Sequence, residues 1–158
     1  MNTSDLASSG IVIERCLSVD HDGWLDLRRA LWPEGSVSEH RDEMAAFCAC
    51  PERFIQLVAR EPAGPAMGFV EAALRRDYVN GTDSSPVAFL EGIYVAPQFR
   101  GRGVARALVQ AVEHWALGCG CSEFASDAAL DNERSHAMHR ALGFVETERV
   151  VYFRKPLA

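Results

Sequence analysis

Phe89-Leu90-Glu91-Gly92-Ile93-Tyr94-Val95-Ala96-Pro97-Gln98-Phe99-Arg100-Gly101-Arg102-Gly103-Val104-Ala105 is the most informative stretch of the chain. Its apolar, β-branched first half reads as a strand closed by Pro97. Two glycines follow in the spacing Gln-x-x-Gly-x-Gly, and a helical pattern begins at once. A strand, a tight glycine turn and a helix N-terminus together make an anion site. The first-turn N–H groups have no intrahelical partners, and the helix dipole adds partial positive charge there. Glycine lets a phosphate approach the backbone because no Cβ intervenes. Arg100, Arg102 and Arg106 add cations nearby. An ordinary strand-turn-helix corner with a solvated basic rim fits the same glycines, so spacing must choose the ligand. A P-loop requires Gly-Lys-Ser/Thr at the helix start, and this turn has Gly-Val-Ala. A dinucleotide-binding turn belongs to a first βαβ unit, whereas several elements precede this one.

Working outward, the remaining segments alternate in type. Ile11–Cys16 reads as a strand. Asp20 to Leu31 reads as a helix, with Trp24, Leu25, Leu27, Arg28 and Leu31 near the spacing that makes one face, and Trp32-Pro33-Glu34-Gly35 ends it. Ser38 is the expected N-cap of a second helix, to Cys48, with Arg41 where a capping box wants Glu. Phe54–Arg60 and Ala66–Leu74 read as a hairpin across a Pro/Gly turn. Arg75 to Pro86, with Asn80-Gly81, reads as a loop projecting over a site. A helix from Gly103 to about Leu117 ends at Gly118 and Gly120. A strand at Glu123–Asp127, a helix at Asn132–Leu142 and a strand at Thr147–Arg154 complete the order. The expected fold is α/β: a mixed, mostly antiparallel sheet flanked by helices, one domain over residues 1–158.

Composition narrows the classes. The chain has 158 residues, 48% hydrophobic, with a net charge of −6. That argues against nucleic acid as a partner and suits a cationic ligand. No run approaches the roughly 18 apolar residues of a membrane span. Met1-Asn2-Thr3-Ser4-Asp5 lacks the regions of a signal peptide, so a cytoplasmic protein is expected. Five cysteines, with Cys48-x-Cys50 and Cys119-x-Cys121, lack zinc-knuckle spacing and read as reduced thiols; no metal is expected.

Gln98-x-x-Gly101-x-Gly103 resembles the acetyl-CoA loop of the GCN5-related N-acetyltransferases (GNAT). Asn132 and the helix ending Ala141-Leu142-Gly143-Phe144 resemble that family's second CoA-contacting segment. Asp77-Tyr78-Val79-Asn80-Gly81, Ala125-Ser126-Asp127 and Glu146-Thr147-Glu148-Arg149-Val150 are similar to the aminoglycoside 6′-N-acetyltransferases. That match is close from Arg75 to Arg154 and looser before it. The resemblance implies acetyl-CoA as cosubstrate. It would be held by the turn residues Gly101, Arg102, Gly103, Val104, Ala105 and Arg106, by Asn132, and by the amides of Ile93, Tyr94 and Val95. It implies aminoglycoside contacts at Trp32, Tyr78, Glu91, Asp127 and Glu148, and a homodimer covering the last strand, where Val150-Val151-Tyr152-Phe153 is apolar on both faces.

The acceptor chemistry also follows from physical grounds. A polycationic ligand calls for a carboxylate-rich pocket, and aromatic faces suit cation–π or sugar packing. An ammonium must lose its proton before attacking a thioester. Glu91 is the first candidate to accept it and Asp127 the second. Backbone N–H groups around Tyr94 and Val95 would stabilise the oxyanion. Many family members carry a tyrosine four residues before the glycine of the Gly-Phe pair, to protonate the leaving thiolate. This chain has His139 there. Acetylation of polyamines or protein amines, and a non-catalytic acyl-CoA-binding module, are the competing readings.

Overall fold

The central strands are buried on both faces, which drives the sheet. In the computed structural model, which describes residues 10–158, five strands lie in the order β1-β2-β3-β4-β5. The expectation for Met1–Asp5 lies outside the described residues. β1 (Val12–Arg15), β2 (Phe54–Arg60), β3 (Ala66–Arg75) and β4 (Val87–Val95) pair antiparallel in succession. β5 (Phe124–Ala125) joins β4 in parallel, through only Ala88↔Phe124 and Phe89↔Ala125. A parallel neighbour requires a crossover, and α3 (Val104–Gly118) provides it.

Successive residues of each strand serve opposite layers. Ile55, Leu57, Val70, Ala72 and Leu90 face α3 and pack against Val104, Leu108 and Val112. Val58 and Phe69 face the other way, against Trp24 and Leu27 of α1 (Trp24–Leu31) and Met44 of α2 (Val37–Ala49). Those two helices therefore cover the sheet face that α3 does not.

A buried ion pair ties that second layer to the sheet. Arg28 and Glu71 are both almost fully enclosed and bonded to each other. The Trp24 indole N–H also donates to Glu71, at 2.9 Å. Arg28 reaches Glu43 as well, and its Nε donates to His40 Nδ1 at 3.3 Å. With Nδ1 accepting, His40 donates from Nε2 to the Trp32 carbonyl at 3.1 Å. Burial pushes the Glu71 carboxyl above the usual carboxylate range, against the pull of Arg28.

Several expectations need correcting. α1 starts at Trp24 rather than Asp20 because Gly23 caps it at φ +84°; a Cβ there would sit 2.4 Å from that of Ala66. The second helix is capped by Ser36, not Ser38. Ser36 Oγ accepts from the Glu39 N–H, and the Glu39 carboxylate accepts from the Ser36 N–H, a complete capping box. A 3₁₀ turn, Pro97–Phe99, separates β4 from the glycines. β5 has two residues, not the expected five. The helix α4 (Glu133–Ala141) begins after Asn132, which serves as its N-cap.

The largest departure is at the C-terminus. Thr147–Arg154 forms no strand, and residues 145–158 have no regular structure. An extended segment needs a neighbouring edge to satisfy its backbone groups, and among the described residues none pairs with it. Tyr152 is 80% exposed and Phe153 92%.

Candidate functional site

The short β5 leaves β4 with an open edge. Beyond Phe89, no strand pairs with the far side of Leu90–Val95 among the described residues, so backbone groups along that edge remain available to a ligand. β4 also carries a bulge at the parting. Glu71 pairs with Gly92 and Ala72 with Leu90, leaving Glu91 as the extra residue. A bulge bends the strand and re-aims a side chain. Glu91 and Asp127 each lie two residues past the last β4–β5 pair, where the two strands separate.

Glu91 opens into a cavity of about 640 Å³ on the α1/α2 side, shared with Trp32, Glu34, Glu39, Glu43 and Glu71. The Trp32 ring is tightly held. The Arg28 guanidinium stands 4.9 Å from its centroid, and Phe69 meets it edge-on at 5.9 Å. Beneath it lies Gly92, where a Cβ would come within 2.5 Å of the indole. Glu91 is itself paired: Arg75 Nη2 donates to Glu91 Oε1 at 2.9 Å.

Asp127 and Glu148 line a different cavity, of about 660 Å³, between β5, α4, the turn at residues 80–82 and the segment after Phe144. The structure thus groups Trp32 with Glu91, and Asp127 with Glu148. Tyr78 lines neither cavity and is 76% exposed. Arg75, expected in the loop, instead ends β3, and residues 76–86 form the loop. Its neighbour Val79 is buried against Val87 and Phe89, so the loop is anchored while Tyr78 projects. Gly81, at φ +79°, lies directly under Thr147, bringing the C-terminal segment over the loop.

The glycine turn has the geometry of a cradle. Gly101 and Gly103 adopt φ of +76° and +81°, and a Cβ at either would meet nothing within 4 Å. Gly103 is the N-cap of α3, so the N–H groups of Val104, Ala105 and Arg106 lie in its first turn. The arginines are partly engaged. Arg102 pairs with Glu61 at 3.0 Å, Arg106 donates to the Ala141 carbonyl at 3.0 Å, and Arg100 donates to the Val95 carbonyl at 2.9 Å. Asn132 Oδ1 accepts from the Ser135 N–H at 3.1 Å, which leaves its –NH₂ for other use.

His139 is held on both nitrogens. Nδ1 donates to the Ser135 carbonyl at 2.7 Å. In the neutral ring, Nε2 therefore accepts from the Ser126 hydroxyl, also at 2.7 Å. All five cysteines are free, and burial pushes the Cys16, Cys48 and Cys121 thiols up, away from nucleophilic thiolate. Sequence reasoning did not single out Arg75, Gly92 or Ser126. Their parts come from register and the bulge, which no local spacing reveals.

The chain is similar to known proteins. The profile described as "Acetyltransferase (GNAT) family" matches residues 24–144. "Aminoglycoside N(6′)-acetyltransferase type 1" of Acinetobacter genomosp. 13 is 56% identical over 132 residues, covering 84% of this chain and 89% of the relative. The crystal structure of aminoglycoside antibiotic 6′-N-acetyltransferase AAC(6′)-Ih from Acinetobacter baumannii superposes with TM-score 0.88 at 50% identity, over 94% of this chain and 100% of that one. AAC(6′)-Iy in complex with the bisubstrate analogue CoA-S-monomethyl-acetylneamine gives TM-score 0.85 at 42% identity, over 93% and 99%.

Gly92→Ala tests the seat of Trp32. The added methyl cannot coexist with the indole, so the ring must move. The expected outcome is a loss of about 1–3 kcal/mol in urea unfolding, the usual cost of overpacking, with an altered near-UV indole dichroism. A variant with unchanged stability and spectrum would show that Trp32 is not held there.

Proposed function

The chain belongs to the GNAT acetyltransferase family, and we propose that it transfers the acetyl group of acetyl-CoA to the 6′-amino group of aminoglycoside antibiotics, in one complex holding both substrates. The observation that carries this reading is the arrangement along β4: a bulged, acidic Glu91 opening on a carboxylate-lined cavity, then an unpaired edge leading to the Gly101–Gly103 cradle. Relatives acting on aminoglycosides, and a similar structure holding a CoA–neamine conjugate, favour the same acceptor.

The parts proposed for the individual residues are these. The turn from Gly101 to Arg106 receives the pyrophosphate on backbone N–H groups. The amides of Ile93, Tyr94 and Val95, with the Asn132 –NH₂, take the pantetheine arm. Trp32, Glu91, Asp127 and Glu148 bind the aminoglycoside, with Tyr78 closing over it from the loop. Glu91 accepts the proton of the 6′-ammonium, directly or through water, with Asp127 as the alternative. The neutral amine attacks the thioester carbonyl, whose oxyanion meets the β4 amides near Tyr94 and Val95. The leaving thiolate then takes a proton. Neutral His139 presents none, because its only N–H faces the Ser135 carbonyl. Protonated His139 donates from Nε2 to Ser126 Oγ, which frees the Ser126 hydroxyl proton for the thiolate.

Assembly and location complete the proposal: a single domain over residues 1–158, working in the cytoplasm as a homodimer. Supporting the dimer is the exposed apolar run Val150–Phe153, which has no partner among the described residues. Among those residues, no helix is long and apolar enough to cross a membrane.

Three measurements test these assignments. Release of CoA thiol with kanamycin or tobramycin should far exceed that with spermidine or a lysine peptide; the reverse order overturns the acceptor. In the same assay Asp127→Asn should lower aminoglycoside kcat/KM about tenfold or more, one lost charge-assisted contact, with acetyl-CoA KM nearly intact. Glu91→Gln should lower kcat as well and shift the acidic limb of its pH profile. A Glu91→Gln enzyme with both unchanged leaves the proton to water or Asp127.

For the cofactor turn, valine at Gly103 removes the left-handed cap. The acetyl-CoA KM should rise about tenfold, the worth of one such hydrogen bond, while the acceptor KM hardly moves. Equal effects on both would reject the cradle.

Sedimentation at micromolar concentration should show a dimer, reduced to monomer by truncation after Arg149. A monomeric full-length chain would reject the homodimer.

A further inference from the structure

Arg75 is the last residue of β3, opposite Val87 on β4. Its guanidinium runs along the sheet face over the Phe89 ring, 3.6 Å from the centroid, and ends on Glu91 Oε1 at 2.9 Å. That is its one side-chain hydrogen bond among the described residues. Both side chains are partly wet, 40% exposed for Arg75 and 30% for Glu91. Arg28 offers the contrast: it is buried, and Glu71, Glu43 and His40 hold it. A half-exposed pair with a single hydrogen bond exchanges partners at small cost, whereas a buried network does not.

We propose that Arg75 occupies, in the free enzyme, the cation position on Glu91 that an ammonium group of the acceptor takes on binding, so that Arg75 is a built-in competitor setting acceptor affinity. This rests on the reading of Glu91 as an acceptor contact. Glu91 shares its cavity with Glu34, Glu39, Glu43 and Glu71, against the cation of Arg28 and the imidazole of His40. Without a cation Glu91 would face that acidic surplus alone, and Arg75 offsets it. A polycation brings its own positive charge to the same carboxylate, and cations gathered there repel one another and weaken the hold of Arg75 on it. The guanidinium is therefore displaced toward the solvent it already touches. The loop bearing Tyr78 starts one residue later, so this exchange happens at the root of the segment proposed to close over the acceptor.

The test compares Arg75→Gln, Arg75→Met and Arg75→Lys in the full chain, with kanamycin as the probe. Met keeps the apolar stem over Phe89 without the charge, and Lys keeps the charge. Gln and Met should each lower the kanamycin KM, and its Kd by calorimetry, about two- to fivefold, the worth of a partly exposed pair, and should steepen the salt dependence. Lys should stay near the parent. An unchanged acetyl-CoA KM reports an intact fold. In a Glu91→Gln background the Arg75→Gln effect should vanish. A raised or unchanged kanamycin KM in both Gln and Met variants would overturn the inference and leave Arg75 as a residue positioning Glu91. If Glu91→Gln alone leaves kanamycin affinity untouched, the reading of Glu91 fails instead. If Glu91→Gln weakens binding but the Arg75 variants do not tighten it, only the competitor falls.

Discussion

The parting of β4 from β5 is the constraint on which the rest depends. The two strands are parallel and joined by a long crossover through α3, so their register is set at one end only. After two pairs they separate. A sheet edge inside a protein carries unsatisfied backbone groups, and an enclosed orphan N–H or C=O costs as much as a lost hydrogen bond. The gap can persist only if something else meets those groups: water in the free protein and, in the proposed reaction, the pantetheine arm and the carbonyl under attack. The bulge at Glu91 lies at the parting, where a continuous β5 would otherwise constrain β4. It turns a carboxylate into the α1/α2 cavity and leaves the following residues in phase with β3, so Ile93 and Val95 still pack toward α3.

The α1/α2 layer must hold its position for that cavity to exist, and apolar packing alone would let two short helices slide. The Arg28–Glu71 pair adds direction, because a bonded guanidinium fixes both angle and distance. Replacing a buried pair by apolar groups of similar volume is often neutral for stability, because such pairs barely repay their desolvation. What it would lose is the orientation of Trp32, which Arg28 stacks from one side and Gly92 admits from the other.

Much of this was legible in the chain. Gln98-x-x-Gly101-x-Gly103 carried the turn, because positive φ at two glycines next to a helix start is a local demand with a local signature. The helices and β1 to β4 followed from periodicity. Their ends did not always. Ser36-Val37-Ser38-Glu39 spells a capping box that begins two residues before the cap expected at Ser38. Glu91 and Asp127 were singled out by residue type, and each lies two residues past the last β4–β5 pair. In the single chain Trp32 and Glu91 sit in one cavity and Asp127 and Glu148 in another, a grouping no local spacing reveals. Arg75 could not be found at all from spacing, since it reaches Glu91 sixteen residues away through strand pairing. Val150–Phe153 read as a strand by composition. But a strand exists only with a partner, and pairing is a property of the assembly rather than of the segment.

Charge is segregated along β4 in the manner the proposed reaction needs. At its bulge stand the carboxylates of the α1/α2 cavity, and just past its end stand Arg100, Arg102 and Arg106 around the glycine cradle. A polycation and a polyanion approaching one strand from opposite ends are each drawn to a different pole, and neither is favoured at the other's place. Their reactive groups then meet at the middle, over the unpaired edge. A covalent route through the protein would instead need an activated thiol at that point. The thiols of Cys16, Cys48 and Cys121 are held protonated by burial and line neither cavity. In the proposed direct transfer the protein sets the encounter, accepts one proton and returns one, and forms no bond of its own.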